Sequence, residues 1–573
     1  MKEAKHSIKL RNLTIVSYIT ISLNLFSIIS GIIYILQPLY SIIWNILGAI
    51  MLITLFENLI FIYLNLYKKN ILKSRTHYIS YGYLLFMIIA VPCMMLGNLL
   101  LSVTYSNEIT DTIGAYFLIY FSYFGILLYG LAFASLDIKL LSNIDLQLFK
   151  YSLFPTQSRK PLKKRKIARK ILIFLSRFTF LLGVIFAIVI MFGSFEVVTT
   201  FVAIVSGQFG VFFSIIFLAN TILLLKLKRR KRTTRKFYRT AIIGLFVSGT
   251  LLMPLFLTNA TAQNADRSFS NVFGANWRSR IPNQANQYFL DAPFSLTGYL
   301  LGSQPKSCEI NRNVLFYDDE GIRLHFDVYL PCNNGIDLPG DNSTLIRIHG
   351  GSWVSGDKGM MNMLQMNKYF AAQGYVVFDI QYGLDINPLF GIDPLTPDYK
   401  KGDFNIDDMM RHIGEFTKYL SSHAHEYGAN LDSVFISGGS AGGHLANAVG
   451  LAIANGNYTD MFSANLTIKG IIPFYPANGA MKFFGLTGRP EFKYPERLVE
   501  ENSPPCLIFQ GTHDILNYFG ISERIRDSYQ NKGNTECAIL WMPYGGHASD
   551  FYFSGYYNQI FLYFMERFMF LYH

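Results

Sequence analysis

The sequence predicts two architectures in series. The first is an all-α transmembrane bundle of about seven helices, and the second is an α/β domain with a mostly parallel, eight-stranded sheet. Three observations carry this. Residues 1–258 hold seven long apolar stretches. Residues 306–573 alternate short apolar strands with helical stretches. Charge divides at the same place: 28 Lys+Arg against 7 Asp+Glu before residue 259, then 22 against 31, so a net +12 chain splits into +21 and −9.

The apolar stretches lie at 13–36, 41–66, 79–104, 112–136, 171–193, 197–226 and 239–258. Each can cross a hydrocarbon core of roughly 30 Å at about 1.5 Å per residue. One such helix could be the buried core of a soluble domain, but seven in succession leave nothing polar to face water.

The charges between them predict the topology. Lys2, Lys5, Lys9 and Arg11 precede the first span, and Lys68, Lys69, Lys73 and Arg75 follow the second. Basic runs at 158–170 and 226–236 separate spans four and five, and six and seven. The alternate loops near 37–40, 105–111 and 194–196 contain no Lys or Arg. By the positive-inside rule the N-terminus is cytoplasmic and the chain emerges outside after span seven, which makes the C-terminal domain extracytoplasmic. The high pI is thus a membrane signal. These short juxtamembrane runs suit anionic headgroups, so membrane lipids are expected partners and nucleic acid is not. Glu57 and Arg177 lie inside spans, where charges are costly and usually paired, so a Glu57–Arg177 pair is one expectation.

Residues 259–305 begin small and polar and read as a linker. The domain at 306–573 opens with N-V-L-F-Y-D-D and R-L-H-F-D-V-Y-L around Glu320-Gly321, an antiparallel hairpin. Strands follow near 344–349, 374–381, 433–437, 469–474, 506–510 and 537–542. Helices lie near 360–372, 407–427, 441–453, 520–531 and 556–571. Such alternation implies a sheet covered on both faces.

Chemistry-bearing residues fall at the strand ends. Gly438-Gly439-Ser440-Ala441-Gly442 lies between the fifth strand and a helix, the setting of a nucleophile elbow. A lone G-x-S-x-G is a weak signal among 45 glycines. Here His349-Gly350-Gly351 ends the third strand, Asp514 follows the seventh and His547 follows the eighth. Singly, Asp514 and His547 would read as a capping aspartate and a loop histidine. Together with Ser440 they form the ordered set Ser, Asp, His that nucleophilic acyl transfer needs. Backbone N–H groups of Gly350, Gly351 and Ala441 are the candidate oxyanion donors.

D-V-Y-L-P, H-G-G-S-W-x-x-G-D-K-G, G-G-S-A-G-G-H-L-A and G-T-H-D together resemble the α/β-hydrolase esterases and lipases, in particular the hormone-sensitive-lipase-like and feruloyl/acetyl-esterase-like branches. The resemblance covers about residues 306–573. It implies an α/β-hydrolase domain that hydrolyses a small-molecule or lipid carboxylic ester, with no metal or organic cofactor. One departure is Ser352, where many relatives carry a fourth residue of H-G-G-G. Two other functions remain open on the sequence: an acyltransferase to a lipid or glycan alcohol, and a transport or sensor protein with a ligand-binding outer domain. The stretch 477–497, rich in aromatics, could cap the site.

Cys308 and Cys332 flank the hairpin at equal distances from Glu320. An unbroken register would set them opposite each other and allow a disulfide, whereas a one-residue slip would turn them to opposite faces. No metal site is expected: His423-x-His425 lies on a predicted helix, where i and i+2 diverge.

Overall fold

The computed structural model describes residues 2–37, 42–66, 73–104, 109–142, 163–227, 234–360, 363–387 and 396–573. Much of the basic runs at 68–75, 158–170 and 226–236 lies outside these residues. Seven helical segments are long and apolar enough to cross a membrane. The helices begin with α1 (Lys2–Leu36), α2 (Ile42–Leu66), α3 (Lys73–Ser102), α4 (Ile109–Ser142) and α5 (Lys163–Phe192).

The stretch 197–226, expected as one span, is two helices, α6 (Val197–Gln208) and α7 (Gly210–Leu227). The chain bends at Phe209, and a Cβ on Gly210 would come within 2.3 Å of the Leu251 carbonyl oxygen. That close approach packs the bend against the end of α8 (Arg235–Leu251), which is followed by α9 (Met253–Phe273). The bundle leaves apolar side chains such as Phe117, Phe121, Phe174 and Phe178 on its outside. It pairs polar ones inside, because polar groups in lipid must find protein partners. Glu57 accepts a hydrogen bond from Thr20 Oγ1 at 2.7 Å, while Arg177 is exposed on the outer face of α5. The expected Glu57–Arg177 pair is therefore not formed: α2 packs on α1 and α3, and α5 packs on α7 and α8.

A short helix α10 (Leu296–Leu301) precedes the sheet. The sheet and its cover follow as β1 (Glu309–Asp319), β2 (Ile322–Leu330), β3 (Ser343–Ile348), α11 (Met363–Ala371), β4 (Val376–Ile380), α12 (Ile406–Tyr427), β5 (Asn430–Gly439), α13 (Ala441–Asn455), β6 (Ile468–Phe474), β7 (Cys506–Gly511), α14 (Gly520–Asn531), β8 (Cys537–Met542) and α15 (Tyr556–Tyr572). Strand order is β1-β2-β4-β3-β5-β6-β7-β8, with only β1–β2 and β2–β4 antiparallel. This is an α/β-hydrolase sheet. Asn405 caps α12 by accepting from the amides of Asp407 and Asp408, and Gly428 ends it in the left-handed region.

The two faces of the sheet differ. One buries Phe378, Met409, Phe416 and Leu445 beneath α12 and α13. The other buries Phe435, Phe474, Phe509, Phe561 and Phe568, and this core runs without a break into the helical bundle. Residues 259–305, expected as a linker, form part of that junction. Helix α9 continues to Phe273, and Phe269 and Phe273 pack on Phe564 and Phe568 of α15. Tyr299 of α10 stacks on both Tyr556 and Phe212. Aromatic side chains supply the reason: the polar-looking stretch buries Phe269, Phe273, Trp277, Phe289 and Tyr299.

The expected Cys308–Cys332 disulfide is also absent. β1 carries two irregularities, between Asn311 and Val314 and between Leu315 and Tyr317, which bring Glu309 opposite Leu330. Cys332 then falls beside Ser307, whose carbonyl accepts from its Sγ at 3.7 Å, and it is exposed while Cys308 is buried. Burial pushes the Cys308 thiol up to about 12, so it stays protonated.

Candidate active site

Ser440 sits where β5 turns into α13, at φ 57° and ψ −119°. This is a strained conformation for a residue with a Cβ, and it points the hydroxyl away from both elements. Backbone bonds hold the strain: Ser440 N donates to Phe474 O, and its own carbonyl accepts from Ala477 N and His444 N.

His547 stands over the serine. Its Nε2 lies 3.1 Å from Ser440 Oγ and its Nδ1 lies 2.8 Å from Asp514 Oδ2. Asp514 is buried, and its Oδ1 also accepts the amides of Leu516 and Asn517 at 3.0 and 2.9 Å. The carboxylate is thus fixed before it meets the imidazole. The structure brings together the three residues singled out in the sequence across 107 and 33 positions of chain.

The candidate oxyanion loop lies beside the elbow. A Cβ on Gly350 would reach 2.7 Å from Gly439 O and 3.3 Å from Ser440 Cβ, so only glycine fits this approach. The Gly351 carbonyl is turned back to accept from Val354 N and Ser355 N, which closes the loop on itself. Ser352, the departure from a fourth glycine, adopts φ 57°, the left-handed conformation a glycine takes without cost. Ala441 is the first residue of α13, where helix N–H groups have no partner within the helix.

Beneath this loop is a charged group that the sequence reading missed. His349 Nδ1 bonds Gly350 O at 2.8 Å, and Lys400 Nζ lies 3.1 Å from His349 Nε2 and 3.0 Å from Asp357 Oδ1. Burial pushes the His349 imidazole down to about 3, and the Lys400 ammonium adds to this. The ring is therefore neutral, donating through Nδ1 and accepting through Nε2. Burial also brings Lys400 down to about 8, against the pull of Asp357. Asp357 stood in the quoted motif without a role, and Lys400, far along the chain, had no local signal at all. On the other side, Trp353 Nε1 donates to His444 Nδ1 at 3.2 Å, and His444 Nε2 donates to Phe492 O at 2.7 Å. Burial holds His444 down at about 4. Tyr475 packs against the His547 ring, and its hydroxyl donates to the buried Asp550 at 2.7 Å. Burial raises the Asp550 carboxyl above its ordinary range.

A cavity of about 530 Å³ opens at Ser440 and His547. Phe483 and Phe484, from the stretch expected as a cap, line it. So do Thr200, Phe201 and Ile204 of α6, which no feature of the motif set indicated. Helix α6 also braces the histidine loop. Gln208 Nε2 donates to Ala548 O at 3.1 Å, and its Oε1 accepts from Tyr552 N at 2.7 Å. Ala203 lies against Gly546.

Residues 326–496 match the BD-FAE family. Among curated proteins, the chain is 28% identical over 257 residues to a probable carboxylic ester hydrolase, LipM, of Mycobacterium tuberculosis, covering 41% of this chain and 55% of that protein. It is 22% identical over 297 residues to a probable isoprenylcysteine alpha-carbonyl methylesterase, ICMEL1, of Arabidopsis thaliana, covering 47% and 57%. The chain thus spans a little over half the length of the curated relatives it matches. Among solved structures it is similar to Thermogutta terrifontis esterase 2 (20% identity, 46% of this chain and 92% of that one, TM-score 0.35). It is also similar to an inhibited esterase B from Lactobacillus rhamnosis (20%, 43% and 81%, TM-score 0.35). The C-terminal region is an α/β-hydrolase domain, similar to BD-FAE over residues 326–496 and joined to seven helices long and apolar enough to cross a membrane.

Proposed function

We propose that the protein is a membrane-anchored serine hydrolase that cleaves a carboxylic ester through an acyl-enzyme on the extracytoplasmic side. The observation that carries this is the unbroken chain Asp514–His547–Ser440 at the floor of a cavity. Ser440 Oγ attacks the ester carbonyl while His547 Nε2 takes its proton. The C–O bond to the alcohol then breaks, and His547 returns the proton to the departing oxygen. Water repeats the sequence and releases the acid and free Ser440. Asp514 orients the imidazole and stabilises its cation. N–H groups of Gly350, Gly351 and Ala441 hold the oxyanion, each contributing on the order of 3 kcal/mol. The probable ester hydrolase and methylesterase among the relatives support an ester substrate.

The sidedness has support in the docking. Tyr34 at the end of α1, Asn45 at the start of α2 and Asn98 at the end of α3 bond residues 294–302, the stretch that leads into the domain, and Ser102 at the end of α3 accepts from Phe553 N of the domain itself. These are the ends remote from the basic runs, which the positive-inside rule puts outside.

The deciding experiment is Ser440→Ala in the full chain. Ester hydrolysis should fall by about 10⁴-fold or more and fluorophosphonate labelling should disappear with the fold intact. Undiminished labelling would reassign the nucleophile. For sidedness, protease added to right-side-out vesicles should cut the catalytic domain, and full protection would reverse the topology.

A further inference from the structure

The wall of the cavity opposite the sheet belongs to the helical region. Helix α6 presents two faces. Thr200, Ala203 and Gly207 are buried toward the catalytic domain, where small side chains let the helix lie close to the histidine loop. Away from that face α6 exposes Val198 and Phe201, and the turn before it exposes Phe195 next to Phe192, so exposed apolar side chains run from the end of α5 onto α6 as a row. Phe192 is the last residue of α5, one of the seven candidate membrane spans, so the row extends a surface that would already face lipid.

The same row reaches the cavity. Phe201 is 58% exposed and also lines it. Across the opening, Phe483 of the cap is 79% exposed and lines it too, and Ile515 and Leu516 beside Asp514 complete an apolar rim. An apolar rim of this extent is costly in water and marks an interaction surface. Its continuity with a membrane-spanning helix identifies what covers it, namely the acyl region just below the headgroups. The cavity volume lies in the ordinary range for a small-molecule site.

We infer that the cavity opens sideways at the bilayer surface, between Phe201 of α6 and Phe483 of the cap, and takes an ester whose hydrocarbon chain stays in the membrane. The inference rests on the esterase reading above and adds the substrate class, a lipid ester, and the route by which it arrives. Ser440 waits at the inner end, so only the ester group leaves the lipid. Phe201 and Phe483 set the preference for long chains by contact with the hydrocarbon.

The test uses the full chain in phosphatidylcholine vesicles with two probes: 4-nitrophenyl palmitate dissolved in the bilayer and 4-nitrophenyl acetate in water. In Phe201→Ser and in Phe483→Ser the ratio of palmitate to acetate kcat/KM should fall at least ten-fold. Both side chains are exposed, and labelling of Ser440 by a water-soluble fluorophosphonate reports that the site is folded. Independently, diluting a fixed amount of palmitate ester with more phosphatidylcholine should slow the wild-type protein in proportion to its surface density. A ratio within two-fold of wild type in both labelled variants, or a rate unaffected by lipid dilution, overturns lateral entry while leaving the esterase reading intact. If the wild type cleaves neither ester and Ser440 does not label, the esterase reading falls and this inference falls with it.

Discussion

The two halves of the molecule bury polar groups to different ends. In the helical bundle, Asn24 and Asn58 exchange hydrogen bonds of 2.9 and 3.0 Å, Ser27 meets Thr54 at 2.8 Å, and Ser17 donates to Asp137 at 3.0 Å. Each pair ties one helix to another. In the hydrolase domain the polar groups form rows directed at the site: Asp514 behind His547 behind Ser440, which ends at the cavity, and Asp357 behind Lys400 behind His349, which ends at the Gly350 carbonyl of the loop lining it. The difference teaches where an altered side chain should be felt. A lost contact in the bundle should weaken helix association, whereas one in the domain should cost rate before stability.

The sharpest way to break this contrast is Asp514→Asn. The amide still accepts from Leu516 N and Asn517 N, so the loop should hold, while the imidazole loses its anionic partner. Turnover should fall by about 10⁴-fold with little change in the thermal midpoint. A large fall in the midpoint would make Asp514 structural instead. Next in size is Lys400→Met, which removes the donor to His349 and should shift the Gly350–Gly351 loop. A displacement of this kind costs about 100-fold in rate. It should appear in kcat, with KM nearly constant, and Lys400→Arg should recover part of it. A change in KM alone would contradict a role for Lys400 in holding His349 and the loop above it.

Acid should sharpen the comparison at the level of stability. His349 and His444 take up protons only near pH 3 and 4 when folded, against about 6.5 unfolded. Their folded values are depressed, so their contribution is complete above pH 6.5. It is lost as pH falls toward 4, because the unfolded chain binds protons that the folded chain refuses. The thermal midpoint of the detergent-solubilised protein should drop between pH 7.5 and 5, and His444→Gln should flatten that drop. A midpoint independent of pH would show that these rings are not held neutral. The smallest effect belongs to the bundle. A double-mutant cycle on Asn24→Leu and Asn58→Leu should give a coupling of about 0.6 kcal/mol, with esterase rate unchanged. A fall in rate there would mean that the bundle pair communicates with the site.

How much of this was legible in the sequence follows from the same division. Ser440, Asp514 and His547 could be read because each lies at the end of an apolar strand, and strand ends on one side of a parallel sheet converge. The spans could be read because lipid demands unbroken apolar length. What could not be read depends on contacts between distant segments. Nothing in the composition of 197–226 distinguishes a straight span from one bent at Phe209 with its first half against a histidine loop 340 residues away. Lys400 carries no periodicity that links it to His349. The aromatic residues of 259–305 were visible, but their partners on α15 were not. The hairpin cysteines failed for a local reason: the turn pairs Asp319 with Ile322, and two irregularities in β1 each slip the register by one, so Glu309 meets Leu330 and the cysteines pass each other.

Gln208 has one more consequence, which concerns inheritance. Its side-chain amide occupies both the Ala548 carbonyl and the Tyr552 amide, on either side of the turn that follows His547. A hydrolase that merely hung from an anchor could exchange that anchor freely during evolution, or on a laboratory bench. This one could not. A hybrid carrying a foreign helical region would leave the buried Tyr552 amide without its acceptor and the Ala548 carbonyl with only its bond from Phe551 N, so the two halves of the chain should travel, and diverge, together.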